Sequence, residues 1–171
     1  ALEQGGSCRL RVVLDPDGQV GLQVAPLPEE QAVRLVPMVV PGGLGDRKWR
    51  DRRLVDALED VVEPEVPLLV DLDGWVLETT RANVFASIGG TLVTPPLDGR
   101  ILPGVTRARV IAGARRLGLP VEERPLALGE LRHVLVTGAL RGVQPVVALA
   151  GERLPEPDDR VRTLIEQFPR L

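Results

Sequence analysis

Short stretches of alternating apolar and polar residues fill most of the chain, and tight-turn residues separate them. This pattern is typical of β-strands joined by hairpins. Two Asp-Gly pairs, which favour two-residue hairpin turns, stand between such stretches. One pair joins strands predicted over 8–14 and 20–24, and the other joins strands over 68–72 and 75–78. Further extended segments are predicted over 31–40, 83–88, 91–94, 121–125, 136–138 and 143–149.

Helical spacing of apolar residues replaces this alternation in three places, over 52–62, 106–117 and 160–168. We predict Thr106 as the N-cap of the second helix, because its hydroxyl can accept a hydrogen bond from an amide of the first turn. Leu117 is expected on the apolar face of the same helix. Together the elements predict a mixed α/β domain that is rich in antiparallel hairpins.

Composition narrows the class of protein. The 171 residues are enough for one domain, or for one domain and a fragment of another. Lys and Arg number 21 against 24 Asp and Glu, which argues against a basic nucleic-acid-binding protein. A single cysteine, Cys8, and a single histidine, His133, argue against a disulfide framework and a multi-histidine metal site. No apolar run is long enough for a membrane helix, so we expect a cytoplasmic protein without a membrane anchor.

Four segments could carry chemistry. Lys48, the only lysine, lies among arginines and could form a Schiff base with an aldehyde cofactor. Glu78 ends a predicted strand, where a buried carboxylate could hold a protonated pyridine nitrogen. Gly104 and Thr106 stand at the start of a helix, where backbone N–H groups can bind phosphate. The small-residue turn over 137–146 could form an anion-binding nest.

Taken one at a time, these features also fit ordinary structural roles. Lys48 could be a surface lysine, Glu78 an exposed residue at a strand end, and Thr106 a helix cap without a ligand. His133 and Cys8 fit structural positions better than catalytic ones.

Order and spacing together are more specific. A lysine is followed by a hairpin that ends in Glu78 with Asn83 five residues on, then by Gly-Val-Thr-Arg over 104–107, then by a small-residue turn before Pro-Val at 145–146. Over about 45–168 the chain resembles the large domain of the class IV aminotransferases, which are pyridoxal-phosphate enzymes of fold type IV. The resemblance implies a D-amino acid aminotransferase-like fold, an antiparallel-rich pseudo-barrel with flanking helices.

The resemblance also implies a role for each matching residue. Lys48 would hold pyridoxal 5'-phosphate covalently and act as the proton shuttle. Glu78 would pair with the pyridine nitrogen, with Asn83 beside it in the cofactor site, and Leu102 would pack against the ring face. The remaining implied contacts, to the phosphate or to the substrate carboxylate, come from Gly104, Val105, Thr106, Ala139 and Leu140. Many transaminases of this family have threonine at the position of Ala139.

For the reaction, the turn over 137–143 resembles that of the 4-amino-4-deoxychorismate lyases more than that of the branched-chain transaminases. This favours conversion of 4-amino-4-deoxychorismate to 4-aminobenzoate and pyruvate, a step of folate biosynthesis. The alternatives are a branched-chain or D-amino acid transaminase, or a truncated relative with weak or no catalysis. A phosphate- or nucleotide-binding domain is a further alternative that rests on the Gly104 turn alone.

Lys48 lies nearer the start of the chain than the corresponding lysine of relatives. We therefore expect residues 1–44 to be the end of a small N-terminal domain and the interdomain linker, with the rest of that domain absent, and residues 45–171 to be the large cofactor-binding domain. The expected partners are a small-molecule substrate and, as is common among relatives, a second copy of the chain in a homodimer.

Overall fold

A computed structural model describes residues 8–27 and 31–168. Contacts divide the chain into two compact units, one up to residue 31 and the other from residue 32 onward, and each is described by itself. The first unit is the predicted hairpin of β1 (Cys8–Leu14) and β2 (Val20–Pro26), which pair in antiparallel fashion. Gly18 supplies the positive φ of 84° that the turn between them requires.

The second unit contains nine strands and three helices among the residues described. Its strands are β3 (Val33–Val39), β4 (Val66–Val70), β5 (Val76–Thr79), β6 (Asn83–Ile88), β7 (Thr91–Thr94), β8 (Val121–Glu123), β9 (His133–Gly138), β10 (Gly142–Leu149) and β11 (Glu152–Arg153). Its helices are α1 (Arg53–Val62), α2 (Val105–Arg116) and α3 (Asp159–Glu166), and a 3-10 helix spans Leu128–Glu130.

Six of these strands close into a barrel in the order β10, β3, β4, β5, β6, β9 and back to β10. β3 runs parallel to both of its neighbours, whereas the other four pairs are antiparallel. Helix α1 provides the crossover between β3 and β4. The predicted α/β fold, an antiparallel-rich barrel with flanking helices, is therefore confirmed.

Two apolar layers hold the barrel and its helices together. Inside the barrel, Val84 and Val136 belong to a cluster of small and branched side chains contributed by several strands. Outside it, Phe85 and Leu135 pack with residues of α2 and α3. Successive residues of β6 and β9 thus face opposite sides of the sheet, so outward-facing positions on these strands lie beneath α2.

Two local predictions about the second helix are wrong. Its N-cap is Gly104 and not Thr106, and α2 begins at Val105. Leu117 is the C-cap and is 40% exposed, because the helix has already ended there and its side chain leaves the apolar face.

The predicted helix over 160–168 begins at Asp159, where the Asp158 carboxylate accepts the N–H of Val161 and caps the first turn. Among the described residues, no helix combines the length and apolarity needed to cross a bilayer.

Candidate functional site

A β-bulge in β5 determines where Glu78 points. Val76 pairs with Val70 of β4 and Thr79 pairs with Leu68, so Leu77 and Glu78 together stand against the single residue between those two partners. Val76 belongs to the barrel interior, whereas Leu77 packs outside it. Strict alternation would return Glu78 to the interior. The extra residue instead places Glu78 opposite Asn83, an outward position of β6.

The Glu78 carboxyl is buried, with 5% of the residue exposed, and both of its oxygens are hydrogen-bonded. Oε1 accepts the backbone N–H of Leu102 at 3.1 Å, and Oε2 accepts Nδ2 of Asn83 at 3.2 Å. Burial raises the pKa of Glu78 to about 7, although the Leu102 N–H and the charge of Lys48 act in the opposite direction. This carboxyl can therefore change charge near neutral pH.

Asn83 connects Glu78 to the segment that precedes α2. Its Nδ2 also donates to the Leu102 carbonyl oxygen at 2.8 Å. Its Oδ1 lies 2.1 Å from the position that a Cβ on Gly104 would occupy. Only glycine at residue 104 leaves room for the Asn83 side chain, so the start of α2 packs directly against Asn83.

The N-terminus of α2 is open. Gly104 has no side chain to cap it, and the first turn contains no acidic residue. Val105 is 78% exposed and Thr106 follows it at the second helical position. The first-turn N–H groups of a helix have no partner within the helix, and its dipole favours negative charge there. The predicted phosphate contacts at 104–106 are therefore grouped where an anion can bind.

The side chain of Thr137 in β9 was not among the predicted site residues, because the nest predicted over 137–146 uses backbone N–H groups. It pairs with Asn83 across β6 and β9, so both side chains lie on the outer face of the sheet. Thr137 is 2% exposed, and its hydroxyl has no hydrogen-bond partner among the described residues. A lone hydroxyl inside the apolar run of β9 was the available signal. Ala139 and Leu140 follow in the turn to β10, beyond the end of this strand.

Lys48 is exposed in the segment between β3 and α1, and its charge acts on Glu78. The structure thus brings Glu78, Asn83, Leu102 and Gly104 into direct contact, and the charge of Lys48 acts on Glu78. The roles assigned to these residues by resemblance stay predictions. Cys8 belongs to the hairpin unit, and His133 has a buried Nδ1 without a partner among the described residues.

Comparison with known proteins places this chain in a family. The sequence model of class IV amino-transferases matches residues 61–149, just over half of the chain. A Thermotoga maritima protein provisionally named branched-chain-amino-acid aminotransferase is 34% identical over 94% of this chain and 64% of its own length. A branched-chain amino acid aminotransferase of Humulus lupulus is 38% identical over 55% of this chain and 24% of its own length. The chain thus spans less than two thirds of these relatives.

Solved structures agree on the fold. A Thermotoga maritima structure, provisionally described as a branched-chain amino acid aminotransferase, is 30% identical and superposes with a TM-score of 0.78 over 97% of this chain and 66% of its own. A Legionella pneumophila structure, provisionally described as a 4-amino-4-deoxychorismate lyase, has a TM-score of 0.79 at 24% identity over 87% of this chain and 60% of its own, which shows the fold alone. On the match of the family model, this chain belongs to the class IV aminotransferase family.

Proposed function

We propose that this chain carries the pyridoxal-phosphate site of an enzyme that acts on amino-acid-like substrates. The observation that carries the proposal is the buried Glu78 carboxyl, with a pKa raised to about 7, within electrostatic reach of the only lysine. When bound, pyridoxal phosphate supplies an aldehyde that captures amines and a ring that accepts electron density.

The described residues fit such a group. Glu78 presents a carboxyl oxygen for a pyridine N–H, and ionisation of this carboxyl would be favoured by the positive charge that it then faces. The open N-terminus of α2 and the glycine at its start fit a phosphate. The unpaired Thr137 hydroxyl, opposite Asn83, offers one further donor on the same face.

Lys48 would perform two tasks at its Nζ atom. It would hold the cofactor aldehyde until a substrate amine replaces it, and the freed amine would then take the proton from the carbon next to the substrate nitrogen. Glu78 would keep the ring nitrogen protonated during this step. Leu102, whose backbone N–H donates a hydrogen bond to Glu78, would orient the ring.

The lyase reaction predicted from sequence remains our first candidate, supported by the Gly138-Ala139-Leu140 turn, which lacks the threonine hydroxyl common among transaminases. The products would be 4-aminobenzoate and pyruvate. The names of the relatives favour a second candidate, amino transfer between an amino acid and a 2-oxo acid. The homodimer, the cytoplasmic location and the division at residue 44 stay predictions.

The test is reductive trapping of the cofactor. Purified protein is mixed with pyridoxal phosphate, its visible absorbance is recorded, and borohydride reduction is followed by peptide mapping. We expect the label on Lys48, and no label in Lys48→Ala; Arg47→Ala, which changes a neighbouring exposed cation, is the control. Failure to label Lys48 in the parent would contradict the proposal.

A second assay separates the reactions. Release of pyruvate and 4-aminobenzoate from 4-amino-4-deoxychorismate supports the lyase, whereas formation of a new amino acid from 2-oxoglutarate and a branched-chain or D-amino acid supports the transaminase. A chain that traps the cofactor on Lys48 and forms neither product set supports the weak-fragment alternative.

A further inference from the structure

Asp71, directly after β4, links three parts of the chain through its carboxylate. Oδ1 accepts the N–H of Gly42 at 3.1 Å and the N–H of Leu72 at 2.8 Å. Oδ2 accepts Nη1 of Arg100 at 2.7 Å. The first contact reaches the segment that leads to Lys48, and the last reaches the segment that leads to Leu102.

Arg100 is fixed from both sides. Its Nε and Nη2 donate to Asp98 Oδ2 at 2.9 and 2.5 Å. Its backbone carbonyl accepts the N–H of Gly45 at 3.2 Å. The same carbonyl oxygen lies only 2.2 Å from the Cβ position of Gly43, whose φ is +69°. The glycine-rich segment 42–45 therefore packs backbone against backbone on 98–100.

This ion pair is partly withdrawn from water, because the side chains of Arg100 and Asp71 are 27% and 15% exposed. The Gly42 N–H and the Arg100 guanidinium hold the pKa of Asp71 below its ordinary value. A charge-assisted pair with additional backbone donors is stronger than an exposed surface pair. In the same segment, Leu44 packs against a small apolar cluster formed by Leu69, Leu77 and Ile101.

The other end of the Lys48 segment is fastened independently. Glu59 of α1 accepts the Thr80 hydroxyl at 2.6 Å and the Nε of Arg81 at 2.6 Å. Thr80 and Arg81 form the turn between Glu78 and Asn83. Lys48 thus lies between two anchored parts of the chain. The glycine segment before it contacts the segment that leads to Leu102, and helix α1 after it contacts the turn that follows Glu78.

We infer that Asp71 and Arg100 are positioning residues that hold the Lys48 segment in a fixed position relative to Glu78 and Leu102. This inference rests on the proposed function for its chemical consequence, since a lysine that must reach an aldehyde benefits from a fixed starting position. The contacts that hold the Lys48 segment are all between residues of the chain.

The first experiment measures hydrogen exchange of the Gly42 and Gly45 amides in Arg100→Gln, which removes neither of their acceptor atoms. We expect exchange at these amides to become about tenfold faster or more, because the charged partner that holds Asp71 is lost. Arg124→Gln is the matched control. Arg124 follows β8 and pairs with Glu130 at 2.9 Å, and its side chain is 35% exposed against 27% for Arg100. It should leave both amides unchanged.

The second experiment measures the rate of borohydride-trapped cofactor on Lys48. We expect Arg100→Gln to slow trapping about tenfold, Arg100→Lys to recover part of the rate, and Arg124→Gln to match the parent. The inference would be overturned if Arg100→Gln left exchange at Gly42 and Gly45 unchanged. It would also be overturned if the parent traps the cofactor normally and Arg100→Gln traps it at the same rate. If exchange becomes faster in Arg100→Gln but the parent never traps the cofactor, the proposed function is refuted and the positioning role of Arg100 in the Lys48 segment stands.

Discussion

Asn83 and Gly104 are in such close contact that the Asn83 Oδ1 occupies space which any side chain at residue 104 would need; the separation is 2.1 Å from an ideal Cβ. Because the same Asn83 donates to Glu78 and to the Leu102 carbonyl, the glycine is coupled to the buried carboxyl through one amide group. The start of α2 and the Glu78 carboxyl therefore cannot be moved separately.

Gly104→Ala should displace Asn83 and break one or both of its hydrogen bonds. We expect a loss of about 1–3 kcal/mol in the free energy of unfolding, as for other overpacked sites, and a cofactor affinity at least tenfold weaker. Denaturant unfolding and cofactor titration measure the two effects. Gly129→Ala is the control, because its Cβ would meet nothing within 4 Å. Equal behaviour of the two variants would show that Asn83 yields without cost.

Glu78 should make the cofactor-free protein less stable as pH rises. Its pKa of about 7 lies above the ordinary value of 4.5, so the folded protein binds the proton more tightly than the unfolded chain. The free energy of unfolding should fall by about 3 kcal/mol between pH 4.5 and 7 and change little above that range from this group. Glu78→Gln should flatten this slope in denaturant titrations at several pH values. A parallel slope in parent and variant would assign the effect elsewhere.

The unpaired hydroxyl of Thr137 gives a prediction with opposite signs for stability and binding. Thr137→Val replaces it with a methyl group of the same shape, so the cofactor-free protein should gain about 1 kcal/mol. Cofactor binding should weaken about tenfold if the hydroxyl donates to the bound phosphate. Thr137→Ser, which keeps the hydroxyl, should bind nearly as the parent does. Unaltered binding by Thr137→Val would remove this residue from the site.

Arg107 should be important for the placement of α2. It is 2% exposed, and its Nη2 donates to the Pro95 carbonyl at 2.8 Å and to Glu123 at 2.9 Å. Arg107→Met would leave the Pro95 carbonyl without this donor and cost about 2 kcal/mol in the free energy of unfolding. Glu123→Gln retains an acceptor oxygen at an exposed position and should cost clearly less. Thermal or denaturant unfolding measures the free energy of unfolding of each variant. Equal losses in Arg107→Met and Glu123→Gln would contradict this account.

Sequence patterns predicted the local elements well where the period was clear. The Asp73-Gly74 hairpin, helix α1 and the alternating strands around 83–94 follow from turn chemistry and from spacing within a few residues. The helix cap at Gly104 did not, because Thr106 had the better cap chemistry locally. The close packing of residue 104 against Asn83 decided the helix start, and that contact is tertiary.

The partners Asp71 and Arg100 were equally invisible along the chain. They are 29 residues apart, and each also fits an ordinary turn, Asp71 between β4 and β5 and Arg100 between β7 and α2. Pairing of β3 with β4 brings the glycine segment 42–45 to the end of β4, and the Arg100 side chain and carbonyl bring the segment before α2 to the same place.

By itself, the sequence determined which chemical groups this protein possesses and the order in which they occur: one lysine, one strand-end glutamate, an asparagine five residues later and a glycine before a helix. It also determined the strand periods, since apolar residues must reach the interior. The direction of Glu78 was decided by the tertiary structure alone. Alternation from Val76 points it into an apolar barrel, and pairing of β5 with β4 inserts the bulge that turns it outward to Asn83, where its oxygens find donors.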